Sequence, residues 1–136
     1  MEITEAINRH LAADPDVSGL VGNRIYPVAI EQGAGDPAIV MRIDNATFTH
    51  TLSGSRGPQV ECDYEIMSLG LDYDTARSTA REVRTCLQGF SGQMGGPTGP
   101  EVQHCLISSE REAGLEIAPD DVRIGIAQVF RIKFRE

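Results

Sequence analysis

No stretch of this chain approaches the roughly 18 consecutive apolar residues that a membrane-spanning helix needs, so no membrane anchor is expected. Cysteine is scarce as well. Cys62, Cys86 and Cys105 are the three present, and an odd count without CxxC spacing argues against both a disulfide framework and a zinc knuckle. Each falls at an apolar-alternating or helical position, where a thiol behaves as a small hydrophobe. His10, His50 and His104 lie on different predicted elements and lack metal-ligand spacing. HExxH, GxSxG and the phosphate loop are all missing. The dense glycine run Gly92-Gln93-Met94-Gly95-Gly96-Pro97 has neither the lysine nor the strand-to-helix setting of a phosphate cradle. Asp120-Asp121 is an acidic pair in a turn, weak ground for a divalent cation. The expectation is a protein with no cofactor and no catalytic or metal site, and so not an enzyme.

Basic charge is also short. Twelve Lys and Arg stand against twenty Asp and Glu, a net charge of −8. Phosphate contacts dominate nucleic-acid affinity, so an acidic chain is a poor candidate for tight DNA binding. The excess acid keeps a small protein soluble. Met1-Glu2-Ile3-Thr4-Glu5 is acidic and has no apolar core of a signal peptide. The expectation is a protein made in a cytoplasm and kept there, or assembled there into a particle.

What is present fits one domain, residues 1–136. With 40% hydrophobic residues, a chain of this length can build a core without disulfide or metal staples. Ile3, Ile7 and Leu11 recur every fourth residue, which predicts a helix from Ile3 to Ala13, ended by Asp14-Pro15. Val17, Leu20 and Val21 predict a short helical turn stopped by Gly22. Arg24 to Tyr26 starts a strand, and Glu31 to Asp36 is a loop. Ala38 to Phe48 reads as a strand with Ile39, Met41 and Ile43 on one face. The pattern then shifts to Ala46 and Phe48, which predicts a bulge near Asn45. Thr51 to Pro58 reads as a turn. Val60, Cys62, Tyr64 and Ile66 alternate with Glu61, Asp63 and Glu65, the pattern of a half-buried antiparallel strand. Asp72 or Asp74 can cap the next helix, whose stripe is Tyr73, Ala76, Ala80, Val83 and Leu87. Its outer face is polar, with Asp74 near Arg77. Ser91 to Pro100 reads as a surface loop without a core of its own. Gln103 to Arg111 is a strand, and Leu115 to Asp121 a turn. A last strand, Val122 to Phe134, has Val122, Ile124, Ile126, Phe130, Ile132 and Phe134 on one face, interrupted by Gln128. Its length of roughly 40 Å suggests that it bends through Gly125 or reaches past its own domain. The fold class expected is α+β: a mixed, mostly antiparallel sheet packed against one long and one or two shorter helices.

Two charged rows are the candidate interaction residues. Glu61, Asp63 and Glu65 line one strand, and Arg123, Arg131, Lys133 and Arg135 line another. If the strands are sheet neighbours, the rows pair within one subunit, at about 0.2–1 kcal/mol for each cross-strand pair. If they are not, the rows are complementary surfaces able to join one subunit to the next in a ring.

Several landmarks together resemble the small tail-completion, or tail terminator, proteins of long-tailed phages and gene transfer agents. They are the opening helix, the Val17 to Val21 turn, Gly22-Asn23-Arg24-Ile25-Tyr26-Pro27 and Pro37-Ala38-Ile39-Val40. The strand Val60 to Ile66 with the helix Tyr73 to Leu87, and the ending Val122-Arg123-Ile124 to Phe130-Arg131-Ile132-Lys133-Phe134-Arg135, complete the likeness. The loop from Ser91 to Pro100 is longer than the family pattern. The resemblance implies a structural virion protein of the tail and neck, assembled in the host cytoplasm. It implies a homo-oligomer, commonly a hexameric ring, at the head-proximal end of the tail tube. There it would stop tube polymerisation and offer a surface for head-tail joining. Its partners would be the major tail tube protein and a head-tail connector protein. DNA would pass through an acidic lumen without specific binding, and no membrane is implied. The loops Thr51 to Pro58 and Ser91 to Pro100 are further candidate docking surfaces. Two other readings stand beside this one: a head-completion or connector protein of the neck, and a small ligand-binding domain with a polar pocket.

Overall fold

The computed structural model describes residues 2–50 and 57–135. The opening helix, α1 (Ile3–Ala13), buries Ile3, Ala6, Ile7 and Leu11. Asp14 ends it and also starts the next helix. Its carboxylate accepts from the Asp16 and Val17 amides, capping α2 (Pro15–Val21) with Pro15 in the first turn. Gly22, at φ +58°, takes the chain out of α2. A short strand, β1 (Ile25–Pro27), then pairs parallel with β2 (Ala38–Thr49).

β2 runs antiparallel to β3 (Gln59–Gly70), and the register shifts between Ile43 and Asn45, the bulge that the sequence predicts. The expected turn Thr51–Pro58 falls largely on residues 51–56, which lie outside the described residues. After β3, Asp72 accepts from the Thr75 amide and caps α3 (Tyr73–Leu87). β4 (Gly92–Gln93), β5 (Glu101–Ala118) and β6 (Asp121–Arg135) complete a six-stranded sheet in the order β1-β2-β3-β6-β5-β4. All pairs except β1–β2 are antiparallel, so the α+β expectation holds.

The helices cover one face of this sheet. Val60, Cys62, Tyr64 and Ile66 of β3 stand opposite Phe134, Ile132, Phe130 and Gln128 of β6. All of these but Gln128 join α1, Val17, Val83 and Leu87 in one apolar cluster. Ala76 and Ala80 of α3 form a second cluster with Ile126. Their small side chains let the helix lie close on the sheet. Gly70 serves the same end, because a Cβ there would sit 2.9 Å from the Ala76 backbone nitrogen.

Several expectations are corrected. The strand Gln103 to Arg111 runs on to Ala118, and the turn Leu115 to Asp121 shrinks to Pro119 and Asp120. Residues 112–118 lack clean alternation, but backbone pairing with β6 carries them as strand regardless. The Ser91–Pro100 segment does have a core contact, since Met94 is fully buried in the main cluster. A tight turn holds it there. A Cβ on Gly99 would lie 1.7 Å from the Met94 carbonyl oxygen, so only glycine fits. Ile43, Phe48, Tyr73 and Val122 are exposed rather than buried. The first two sit on the outer half of β2, and Val122 sits at the hairpin tip opposite Glu116.

Phe130 is fully buried at the centre of the main cluster, between Tyr64 and Ile107 in register. Phe130→Ala is expected to lower unfolding stability by about 3–5 kcal/mol, read by denaturant titration.

Candidate functional site

The charged rows are sheet neighbours. Asp63 stands opposite Arg131, and Glu61 opposite Lys133. Arg131 Nε donates to Asp63 Oδ1 at 3.2 Å and lies 3.8 Å from Glu61 Oε1. Arg135 stands opposite Gln59 on one side and Glu101 on the other. Of the two arrangements open to the sequence, the structure takes pairing within one subunit. These pairs are half-exposed, so each contributes little.

Two of the seven residues are not surface charges at all. Glu65 is 7% exposed. Its carboxylate takes Arg42 Nη2 at 3.3 Å and Arg111 Nη2 at 3.2 Å. Both partners escape the sequence rows, since Arg42 is on β2 and Arg111 reaches across β6 from β5. Arg123 is 3% exposed. Its guanidinium donates to Asp121 at 3.1 Å, to the Gly35 carbonyl at 2.9 Å, and to the Ala34 carbonyl. The Gly33 amide donates to the second oxygen of Asp121 at 3.2 Å. The Arg123 hydrogen bond, and then the Gly33 amide, hold the Asp121 carboxyl below its usual range. The Asp120-Asp121 turn is therefore committed to tying the tip of the β5–β6 hairpin to the 31–36 loop.

A third polar cluster fastens α3 to the hairpin. Arg77 donates to Glu110 at 2.8 Å and to Glu112 at 3.0 Å, instead of pairing with Asp74. The Tyr73 hydroxyl donates to the same Glu112 oxygen at 2.9 Å. Gln128, fully buried, donates to the Ala80 carbonyl at 3.0 Å and to Glu110 at 2.9 Å. The interruption it makes in the apolar stripe of β6 is thus a bridge to α3. Arg77 first, then Gln128, pulls the Glu110 carboxyl below its ordinary value.

None of these clusters is arranged as a nucleophile with its base. Burial pushes the Cys62, Cys86 and Cys105 thiols up to about 12, far from the thiolate form. His10 Nε2 lies 3.3 Å from the Cys86 carbonyl oxygen, and its ring packs edge-on against Phe90. Among the described residues, no three His, Cys, Asp or Glu side chains gather closely enough to hold a metal ion. Among the described residues, no helix is long and apolar enough to cross a membrane.

The face away from the helices holds an open groove. Val28, Ala29, Ile30, Val40, Leu115 and Ile117 wall a cavity of about 240 Å3. A second, of about 190 Å3, shares Val28, Val40 and Leu115 with it and ends at Arg42, Glu65 and Arg111. The sheet therefore coils until the far end of β5 approaches β2. Sequence patterning could not reveal this groove, because its walls come from segments far apart in the chain, Val28 to Val40 on one side and Leu115 with Ile117 on the other.

The fold defines a class: a small α+β protein with helices on one face of a coiled, mostly antiparallel sheet. The chain belongs to the family described as tail completion protein gp17, whose model matches residues 5–113. It is accordingly a structural protein of the virion tail. Among solved structures, a chain in the virion of a native gene transfer agent (GTA) particle is similar, with a TM-score of 0.69 at 20% identity. The match covers 98% of this chain and 95% of that one, a likeness of fold. No curated protein matches the sequence.

Glu110 is held below its unfolded value, so its contribution is present above that value and lost as pH falls through the folded one. Arg77→Ala is expected to cost stability near neutral pH. Its stability curve should converge with that of the parent protein as pH falls through the carboxylate range, measured by denaturant titration at each pH. Arg131→Gln should cost no more than about 1 kcal/mol, since the pair it breaks is half-exposed. The same variant should leave the oligomeric state unchanged by light scattering, because its partners lie in its own subunit.

Proposed function

We propose that this protein is a tail terminator. In this reading copies of it form a closed ring, six by expectation, on the head-proximal end of the tail tube. The ring stops tube growth and presents a joining surface to the connector proteins of the head. The observation that carries the reading is the family match over residues 5–113. The fold shared with a chain of a gene transfer agent virion over nearly the full length supports it. The net charge of −8 suits a ring through which DNA slides, since a lumen of like charge does not trap the polyanion.

The sheet supplies surfaces for a ring. β1 covers only residues 39–41 of β2, and β4 covers only residues 101–102 of β5, so among the described residues β2 and β5 each keep a long edge without a strand partner. Such edges accept other chains unless they are blocked. The β5 edge carries Glu110, Arg111, Glu112 and Glu116, whereas the β2 edge carries exposed Ile43 and Phe48. The glycine-rich segment Ser91–Pro100 remains a candidate for head or tube contacts, pinned by Met94 and exposed over most of its length.

Deletion of the gene followed by electron microscopy tests the reading. Overlong tubes detached from heads are the expected result. Tails of normal length beside full, unattached heads would move the protein to the head side of the neck, and intact particles would overturn an assembly role.

A further inference from the structure

The groove on the helix-free face is apolar along its length and cationic at one end. Two guanidinium groups, Arg42 and Arg111, share the single carboxylate of Glu65, and both remain about half-exposed. That leaves one uncompensated positive charge in a chain of net charge −8. At the lip of the groove stands Val28, 73% exposed, at φ +69°. A β-branched residue in that region is strained, and strain of this kind collects at binding surfaces.

A complementary shape stands elsewhere on the same molecule. The corner between β3 and α3 presents Leu71, 62% exposed, and Tyr73, 43% exposed. Acidic Asp72 and Asp74 alternate with them in the sequence Leu71-Asp72-Tyr73-Asp74. Asp72 is occupied in capping α3. Asp74 carries no ion pair among the described residues.

We propose that the Leu71–Asp74 corner of one subunit seats in the helix-free groove of the next, with Leu71 against Val28, Val40 and Leu115. Asp74 then faces the Arg42–Glu65–Arg111 cluster. The charges match, and so does the size, because a cavity of about 240 Å3 accommodates a leucine side chain. The corner opens the helix that lies on one face of the sheet, and the groove lies on the other face. The contact is therefore head-to-tail, using two different surfaces of each subunit, and such contacts close into rings when the rotation permits. This inference rests on the ring reading and specifies which surfaces make the ring.

Disulfide trapping tests it. Val28→Cys and Leu71→Cys are introduced together, and each alone as a control, in the full chain. Both positions are exposed, the native Cys62 and Cys105 are buried, and the half-buried Cys86 is replaced by serine in every variant. Under mild oxidation the double variant is expected to give a ladder of covalent multimers, and each single variant none beyond a dimer. Adding Arg111→Glu should reduce the ladder several-fold, and Asp74→Arg on top of it should restore the yield. An oligomer seen by light scattering without a ladder would overturn this contact while leaving the ring. A monomer at every concentration, without a ladder, would also overturn the contact. Tail length in the deletion strain would then judge the terminator reading on its own.

Discussion

The structure depends on the pairing of β3 with β6 down the middle of the sheet. The two strands stay in register from Gln59 opposite Arg135 to Gly70 opposite Ile124, without a bulge. Because side chains alternate, that one register sends Val60, Cys62, Tyr64 and Ile66 to the helices together with Phe134, Ile132 and Phe130. It also sets Asp63 against Arg131 on the other face. A slip of one residue would put every apolar side chain on the wrong side. The helices, the edge strands and both charged rows take their positions from it.

Away from that centre the means of attachment change. The half of the sheet near α1 and α2 is held by apolar packing. The half near the hairpin tip is held by polar groups. Gln128 and Arg77 fasten α3 to β5 and β6, and Arg123 with Asp121 fastens the tip to the 31–36 loop. Buried polar groups of this kind are costly unless hydrogen-bonded, and the bonds that Gln128 Nε2 and Arg123 make here select one geometry. They hold the coil of the sheet that brings Leu115 and Arg111 toward Val40 and Arg42. The groove on the helix-free face exists because of that coil.

A structural protein of a virion tail needs a stiff body and surfaces left unfinished. Here Glu61, Asp63, Glu65, Arg123 and Arg131 of the two charged rows find partners inside the subunit, which adds to stiffness. The unfinished parts are the edges of β2 and β5, the corner at Leu71 and the groove under Val28. The strand edges are where another chain can add, because their backbone groups have no strand partner among the described residues.

Local patterns carried much of this fold. The spacing of Ile3, Ile7 and Leu11 determined α1, strict alternation determined β3, and the phase change after Ile43 determined the bulge at Asn45. The helix Tyr73 to Leu87 followed from its stripe and from Asp72. These features need only neighbours in sequence. Tertiary structure decided the rest. It extended β5 to Ala118, because hydrogen bonds to β6 do not require a side-chain pattern. It buried Met94 from a glycine-rich segment, because space in the core was open to it. It turned Arg123 and Glu65 from surface charges into buried anchors, because their partners come from residues 34–35, 42 and 111. Among the charged rows, the sequence determined which residues alternate outward. Only the folded sheet decided which charges meet, since partners from distant strands become neighbours only once their register is set.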